Sequence, residues 1–466
     1  MTRLRSDFYR KMAAVFLAAL IVRGILFLAV IEHPHVIFQP DSRMYVSLAQ
    51  GLHQYGEFCF PSKPGQAHVD RVPGYPFFLA GLLWLFGGSL IAVVAVQAVL
   101  DAFSCALIYA LAESLWEGIG LIAGILASVN VGMITYSFFI LNDSLFLFLF
   151  LLALVAMLGF LKRPRWSLGV VLGVGMGILA LIRPVIVYLP FVLLPFLWAY
   201  FSFKVRLPVR QTLSSVFGLG IAFVLAISPW LARNYMHYGR FKLTSQAGEH
   251  LLQYIVPFTW QYSRGVPFIE GMKQANEAFS KRAKQQGWDL SSMKPFDKSD
   301  QQVKMALDIL KTEPKDAIIK AWFFGMVKNL LAPAVIDLSY LLNIERPHFF
   351  YTEGKTLWKR AWNFVRQMRG FFAWLVVGSM VSLVVARLVQ TWGLILLVKK
   401  DIWRAMLLSL IIGYFLILSG PVGYAKYRLP YEPILVVFLA IGIKDTWQRV
   451  SRTGGRSGEK PVTSNE

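Results

Sequence analysis

The chain has 466 residues, of which 56% are hydrophobic and 15% aromatic but only 16% charged, against about 25% charged in an ordinary soluble domain. That balance excludes a soluble globular protein and calls for a lipid environment. The formal net charge is +21, but no nucleic-acid motif accompanies it. In a membrane protein such a surplus belongs to cytoplasmic loops and lipid phosphates, so membrane lipid is an expected partner and nucleic acid is not.

In chain order, the first apolar run, Met12 to Ile31, is long, lacks a small-residue cleavage site and is followed by further spans, so it reads as a retained helix rather than a secretory signal. Glu32 to about Pro73 then forms an external loop. Gly74 to Gly87 is too short to span and reads as a helix lying in the external interface. Leu90 to Leu111 returns, Leu121 to Tyr136 goes out, and Ser144 to Leu161 comes back to the basic link Lys162-Arg163-Pro164-Arg165. Leu168 to Leu181, Val185 to Phe201 and Leu213 to Leu231 add three crossings.

A polar stretch from Ala232 to about Lys320 follows and is placed outside. Within it, Lys294 to Lys315 has the spacing of an amphipathic helix, with Val303, Leu307 and Leu310 on one face. Trp322 to Leu342 carries Lys328, Asn329, Pro333 and Asp337 and is read as interfacial, because charges at the bilayer centre are costly. Phe371 to Val398, Met406 to Leu418 and Pro433 to Ile443 complete ten spans. The basic segment Arg346 to Arg369 then falls outside, against the positive-inside rule.

The expected class is therefore an all-α polytopic membrane protein of about 10–12 transmembrane helices with external interfacial helices. Its expected parts are residues 1–231, a transmembrane module whose first external loop (32–89) forms the catalytic face; 232–370, an external polar region; 371–446, the C-terminal spans; and 447–466, a disordered cytoplasmic tail. Cys59 in a loop and Cys105 in an apolar run lie at different depths, so no disulfide between them is expected.

The ionisable residues at the external helix ends are the informative ones. Asp41, after Pro40 and before a helical pattern, reads either as an N-cap or as a carboxylate able to take a proton from an acceptor. Asp70-Arg71-Val72-Pro73-Gly74-Tyr75-Pro76 is a turn before the interfacial helix. Asn142-Asp143, Arg183-Pro184, Arg233-Asn234-Tyr235 and Lys426-Tyr427-Arg428 lie at the same level. Acids and bases gathered at one height suit a phosphate-bearing lipid together with a base.

These motifs, with Tyr45, Pro229-Trp230, Gly239 and Tyr427-Arg428-Leu429-Pro430, resemble in order and topology the GT-C superfamily of membrane glycosyltransferases. The nearest branch looks like the bacterial relatives of protein O-mannosyltransferases and lipid A aminoarabinose transferases. The resemblance implies a GT-C-like fold and a polyprenyl-phosphate-linked sugar as donor. It further implies inverting transfer to an envelope lipid, glycan or protein acceptor on the extracytoplasmic face of the inner (plasma) membrane. By carry-over Asp41 is the catalytic base and Asp143 a second acid near it; Arg71, Arg183, Arg233, Lys426 and Arg428 are donor-phosphate candidates. The chain departs from members with an Asp-Glu pair in the first loop, having Asp41-Ser42 instead.

The chemistry needs no nucleotide, and no Gly-rich phosphate loop is present. No cofactor is demanded and a divalent metal stays open; His33, His35, His53 and His68 fall in the first external loop but lack a tight ligand spacing. The rival from another class is a transporter or flippase of a lipid-linked or anionic solute. That reading would favour ionisable groups near the midplane and repeat symmetry. Arg23 and Arg387 are the main charges within spans, and snorkelling accounts for both.

Overall fold

The computed structural model describes residues 2–344, 347, 352–354, 357–368 and 370–456, and among these every regular element is a helix. Of the tail expected to be disordered over 447–466, residues 447–456 instead continue the last helix, which runs Glu432–Arg456, and the remainder from residue 457 lies outside the described residues, as do parts of the segment 345–356.

The chain opens with α1 (Thr2–Glu32), followed by α2 (Ser42–Tyr55) and α3 (Gly74–Leu85) in the first loop. Then come α4 (Leu90–Leu115), the bent pair α5 (Gly120–Ser128) and α6 (Val131–Ser137), α7 (Asp143–Lys162) and α8 (Trp166–Ile182). A continuous helical stretch containing α9 (Leu189–Ala199) leads to α10 (Val209–Tyr238). Among the described residues, seven helical segments are long and apolar enough to cross a membrane, or up to nine if each of two bent pairs counts as one. The protein is a multi-pass membrane protein.

Contacts at the two ends fix the direction of each segment. At one end Lys444 donates to the Glu117 carbonyl (2.8 Å), Lys400 lies 4.1 Å from the Trp116 ring and Arg404 donates to the Ser114 carbonyl. At the other end meet the start of α7, the end of α8, the first loop and the turn before the last helix. With the segments closing the chain, α18 (Phe371–Lys400), α19 (Ile402–Ser419) and α20 (Glu432–Arg456), the described helices run ten times between these ends. Besides the seven long segments, the bent pair α5–α6, the 17-residue α8 and α20 make up that number.

Glycine spacing makes one helix pair especially close. Gly169, Gly173 and Gly177 recur every fourth residue along α8 and face Ser215, Leu219 and Ala226 of α10; a Cβ on Gly173 would stand 2.2 Å from the Leu219 carbonyl oxygen. The offset stays nearly constant along both helices, so they run parallel with backbones touching, as small residues allow in lipid.

Between α10 and α18 the polar region folds into its own helices: α11 (Gln246–His250), α12 (Val256–Ser263), α13 (Phe268–Gln285) and α14 (Pro295–Thr312). They enclose a core of Leu252, Val256, Trp260, Ala275, Phe279, Met305 and Ala306. The helix expected over 294–315 is present, but its inward face is Phe296, Ser299, Gln302, Met305 and Ala306, whereas Leu307 is 44% exposed. The face holding Gly248 wins because α11 approaches closely there: its Cβ position is 2.5 Å from the Ser299 carbonyl.

Trp322 to Leu342 becomes the end of α15 (Lys315–Leu331) and α16 (Val335–Leu341), bent by 61°. Both lie across the site end, where Asn329 accepts from the Tyr424 amide and Asp337 accepts from Tyr136. The helix α17 (Leu357–Gln367) then packs on the start of α18.

Arg23 does not snorkel. It is fully buried, donates twice to Asp101 of α4 (2.6 and 2.9 Å), and reaches the carbonyls of Ser128 and Ala19. Asp101 escapes notice in the sequence because it sits alone in an apolar run, yet it is what allows the guanidinium to stay at depth. Removing one partner strands the other: Asp101→Leu is expected to cost about 3–5 kcal/mol, with the double replacement Arg23→Leu/Asp101→Leu recovering much of it. Thermal unfolding of the three variants in detergent checks this; equal losses in the single and double variants would contradict it.

Candidate active site

The site forms where five separate chain segments end. The first is the start of α2. Asp41 occupies the N-cap position, but its side chain makes no capping bond. The carboxylate turns instead to Arg71, which donates to Oδ1 at 2.7 Å. The capping reading therefore gives way to an ion pair, and the side chain stays 43% exposed.

Arg71 arrives on the turn before α3. Gly74 is required there, because its Cβ position would lie 2.7 Å from the Leu181 carbonyl and from Ile182, so only glycine lets the turn sit on the end of α8. That end is itself set by sequence: Arg183 precedes Pro184, which disfavours the helical region for it, and it is extended at φ −143°, ψ 110°. Its guanidinium is thereby carried to Asp143 (2.9 Å) and lies over the Phe146 ring at 5.5 Å.

Asp143 stands in the first turn of α7, where the helix dipole favours a carboxylate. Its side chain is 1% exposed, and Oδ2 has no hydrogen-bond partner. Asn142 beside it does not cap the helix but donates to the Ile182 carbonyl, stitching α7 to α8. The fifth segment is the short helical turn Ala425–Arg428. Lys426 stands between the two acids, with Nζ 3.6 Å from Asp143 Oδ2 and 3.9 Å from Asp41 Oδ2.

Two carboxylates and three cations thus meet, leaving one formal net positive charge beside the partly exposed Asp41. Tyr427 lies close enough to Arg183, Asp41, Asp143 and Arg71 to feel all four charges. Tyr45 packs edge-on against Tyr75 at 4.9 Å, and burial raises its phenol above the ordinary value, so it stays neutral beside Arg71.

The other two basic candidates are engaged elsewhere. Arg233 donates to the carbonyls of His68 and Phe58 and lies 4.5 Å from the Trp230 ring, which ties α10 to the first loop. Arg428 is buried, paired with Glu432 at 2.5 Å, and donates to the carbonyls of Asn329, Leu330 and Ala332. It anchors from below the turn that carries Lys426.

Sequence reasoning missed several supports. Gln97 receives the Tyr75 hydroxyl (2.7 Å) and donates to the carbonyls of Ser137 and Phe139. Asp337 accepts from Tyr136 and Tyr424, and Ser245 donates to Asp70. Polar residues four apart within an apolar run, Gln97 and Asp101, were the available signal. Both cysteines are free and buried.

Among the described residues no three His, Cys, Asp or Glu side chains gather as metal ligands. The two site carboxylates do not fit a divalent ion either, because the Lys426 ammonium takes the position that faces both.

His68 is buried between Phe58 and Phe60, its Nε2 unbonded. Burial pushes its imidazole down to about 4, against the pull of Asp70. Since this lies below the usual value of about 6.5, the unfolded chain protonates first as the pH falls. The contribution to stability is whole above about pH 6.5 and is lost as the pH falls toward about 4. The unfolding midpoint is expected to drop over that window, and less steeply in His68→Gln; parallel profiles would contradict it.

Residues 70–232, just over a third of the chain, match the family model described as dolichyl-phosphate-mannose-protein mannosyltransferase. The matched span contains Arg71, Asp143 and Arg183. No curated protein matches the chain by sequence. Among solved structures, the archaeal oligosaccharyltransferase AglB from Archaeoglobus fulgidus, in complex with an inhibitory peptide and a dolichol-phosphate, superposes with a TM-score of 0.54 at 14% identity. That alignment covers 97% of this chain and 52% of AglB. The Archaeoglobus fulgidus oligosaccharyltransferase tethered to an acceptor peptide gives 0.50 at 13% identity, over 98% and 51%. ArnT from Cupriavidus metallidurans bound to undecaprenyl phosphate gives 0.39 at 14%, over 97% and 81%, too low to add to the comparison. The chain spans about half the length of the oligosaccharyltransferases it resembles. The fold is that of the GT-C membrane glycosyltransferases, the architecture the motifs resemble.

Proposed function

We propose that this protein is a glycosyltransferase that takes a sugar from a polyprenyl-phosphate donor and transfers it, with inversion, to an acceptor on the extracytoplasmic face of the plasma membrane. The observation that carries the reading is the meeting of Asp41, Arg71, Asp143, Arg183 and Lys426 from five chain segments at one end of the bundle. The family match over 70–232 and the GT-C fold support it, as does the dolichol-phosphate in the AglB complex. The basic link Lys162–Arg165 and the lysines near Trp116 gather at the opposite end, which supports a cytoplasmic assignment for that end.

The two acids take different parts. Asp41 is 43% exposed, and its Oδ2 has only Lys426 at 3.9 Å, so it is the one open to an acceptor and serves as base. Asp143 is buried at 1% and holds Arg183 and Lys426 in place. As the acceptor oxygen or nitrogen attacks the anomeric carbon, its proton passes to Asp41 and the bond to the phosphate oxygen breaks. Negative charge grows on the phosphate, and Arg71, Arg183 and Lys426 are fixed where it can be met without reorganisation.

Midplane chemistry of the kind a transporter uses is not favoured: Arg23 and Asp101 are 0% and 1% exposed and satisfy each other. Purified protein in proteoliposomes, given polyprenyl-phosphate sugars labelled in the sugar, is expected to release free polyprenyl phosphate only with a competent acceptor fraction. Movement of the intact labelled lipid across the bilayer, without release, would overturn the proposal in favour of a flippase.

A further inference from the structure

The segment Arg346 to Arg369 carries six basic residues against the single acid Glu353. Its described helix, α17, lies toward the site end of the bundle, where the positive-inside rule gives cations no reason to gather. The part of it that forms α17 is two-faced. Phe364 and Met368 are buried and pack with Val335 of α16 and Val376 of α18. Lys359, Trp362 and Arg366, spaced three and four apart, fall on the opposite face; all three are exposed, Trp362 at 68%.

Four residues on, α18 begins with Phe371 and Trp374, each 75% exposed. Only 11% of the apolar window of α18 is buried within the protein, so this span faces lipid. Aromatic side chains at the head of a lipid-facing span mark the depth of the headgroups, and α17 lies at that depth.

We infer that the outer face of α17, with the first turn of α18, is a docking surface for the phosphate-bearing headgroups of anionic phospholipids in the leaflet on the site's side. Cations flanking an exposed tryptophan on a short helix meet both needs of such a surface: the ring enters the headgroup layer and the basic groups pair with phosphate. The occupant is the bilayer itself, argued from charge complementarity and from the neighbouring lipid-facing span. Docking would also steady the site, because α17 shares a core with α16, whose Asp337 receives the Tyr136 and Tyr424 hydroxyls, and Tyr424 opens onto the turn bearing Lys426. The inference rests on membrane placement and not on the reaction proposed above.

Both native cysteines are buried, so a fluorescent donor on Gln367→Cys reports on α17 alone. The full chain is reconstituted in vesicles mixing phosphatidylglycerol and phosphatidylcholine, with an acceptor dye on the headgroup of one lipid or the other at equal mole fraction. Energy transfer to labelled phosphatidylglycerol is expected to exceed that to labelled phosphatidylcholine at least about twofold. The excess is expected to vanish when Lys359→Gln and Arg366→Gln are added. Equal transfer to both lipids would overturn charge recognition, transfer to neither would overturn membrane contact, and an excess untouched by the double replacement would place the recognition on another surface.

Discussion

Asp41→Asn is expected to lower the transfer rate by about 10²–10⁴, the range a positioned general base supplies, while leaving the protein folded and in the membrane. The expectation follows from where the carboxylate points. It leaves the N-cap bond unmade, pairs through Oδ1 with Arg71, and keeps Oδ2 with only Lys426 near it, at 3.9 Å, on a side chain that is 43% exposed. Asparagine keeps the shape and can still contact Arg71 through its amide oxygen, but it cannot take the acceptor's proton. Binding of a polyprenyl phosphate is expected to change little, because the three cations remain. A variant with full activity would remove Asp41 from the chemistry; one that no longer binds the lipid would make its role structural.

The second large effect is expected at Lys426. Its ammonium bridges Asp41 and Asp143 and contributes to the site's net positive charge. Replacing it with Met leaves two carboxylates facing a phosphodiester with less compensation, and a loss of about 10²–10³ in rate is expected, comparable to removing one preorganised group from a site of developing charge. Lys426→Arg, which keeps the charge, is expected to recover a part. Since the ammonium stands where a cation is needed, transfer is also expected to persist in the presence of a chelator. The contrast with Arg233 is informative. Its guanidinium is occupied by loop carbonyls, so Arg233→Lys is expected to show first as lost stability and not as a lost response to the donor.

The sequence announced the membrane character and the level of the site better than its internal wiring. Each site residue stands beside a strong local signal: Asp41 after Pro40, Arg71 before Pro73-Gly74, Arg183 before Pro184, and Asp143 at the head of an apolar run. Prolines and glycines end helices wherever they fall, so the ends could be read and with them the height of the charges. Which cation meets which acid depends on how ten segments pack, and no local rule carries that. Arg71, Arg183 and Lys426 therefore looked the same as Arg233 and Arg428, although the last two are spent on backbone carbonyls. The buried pair Arg23 and Asp101 was illegible for the same reason: its partners are 78 residues apart. The inward face of α14 was only partly legible: Leu310 packs on the core as expected, but the close approach of Gly248 to Ser299 turns Phe296, Ser299, Gln302 and Met305 inward and leaves Leu307 exposed.

The most direct test of the account is an experimental structure of the full chain in a nanodisc with a polyprenyl phosphate bound. The phosphate is expected between Arg71, Arg183 and Lys426, within hydrogen-bonding distance of at least two of them, with Asp41 open on the side away from the lipid. A phosphate held instead by Arg233 or Arg428, or seated away from the Asp41–Asp143 pair altogether, would contradict it.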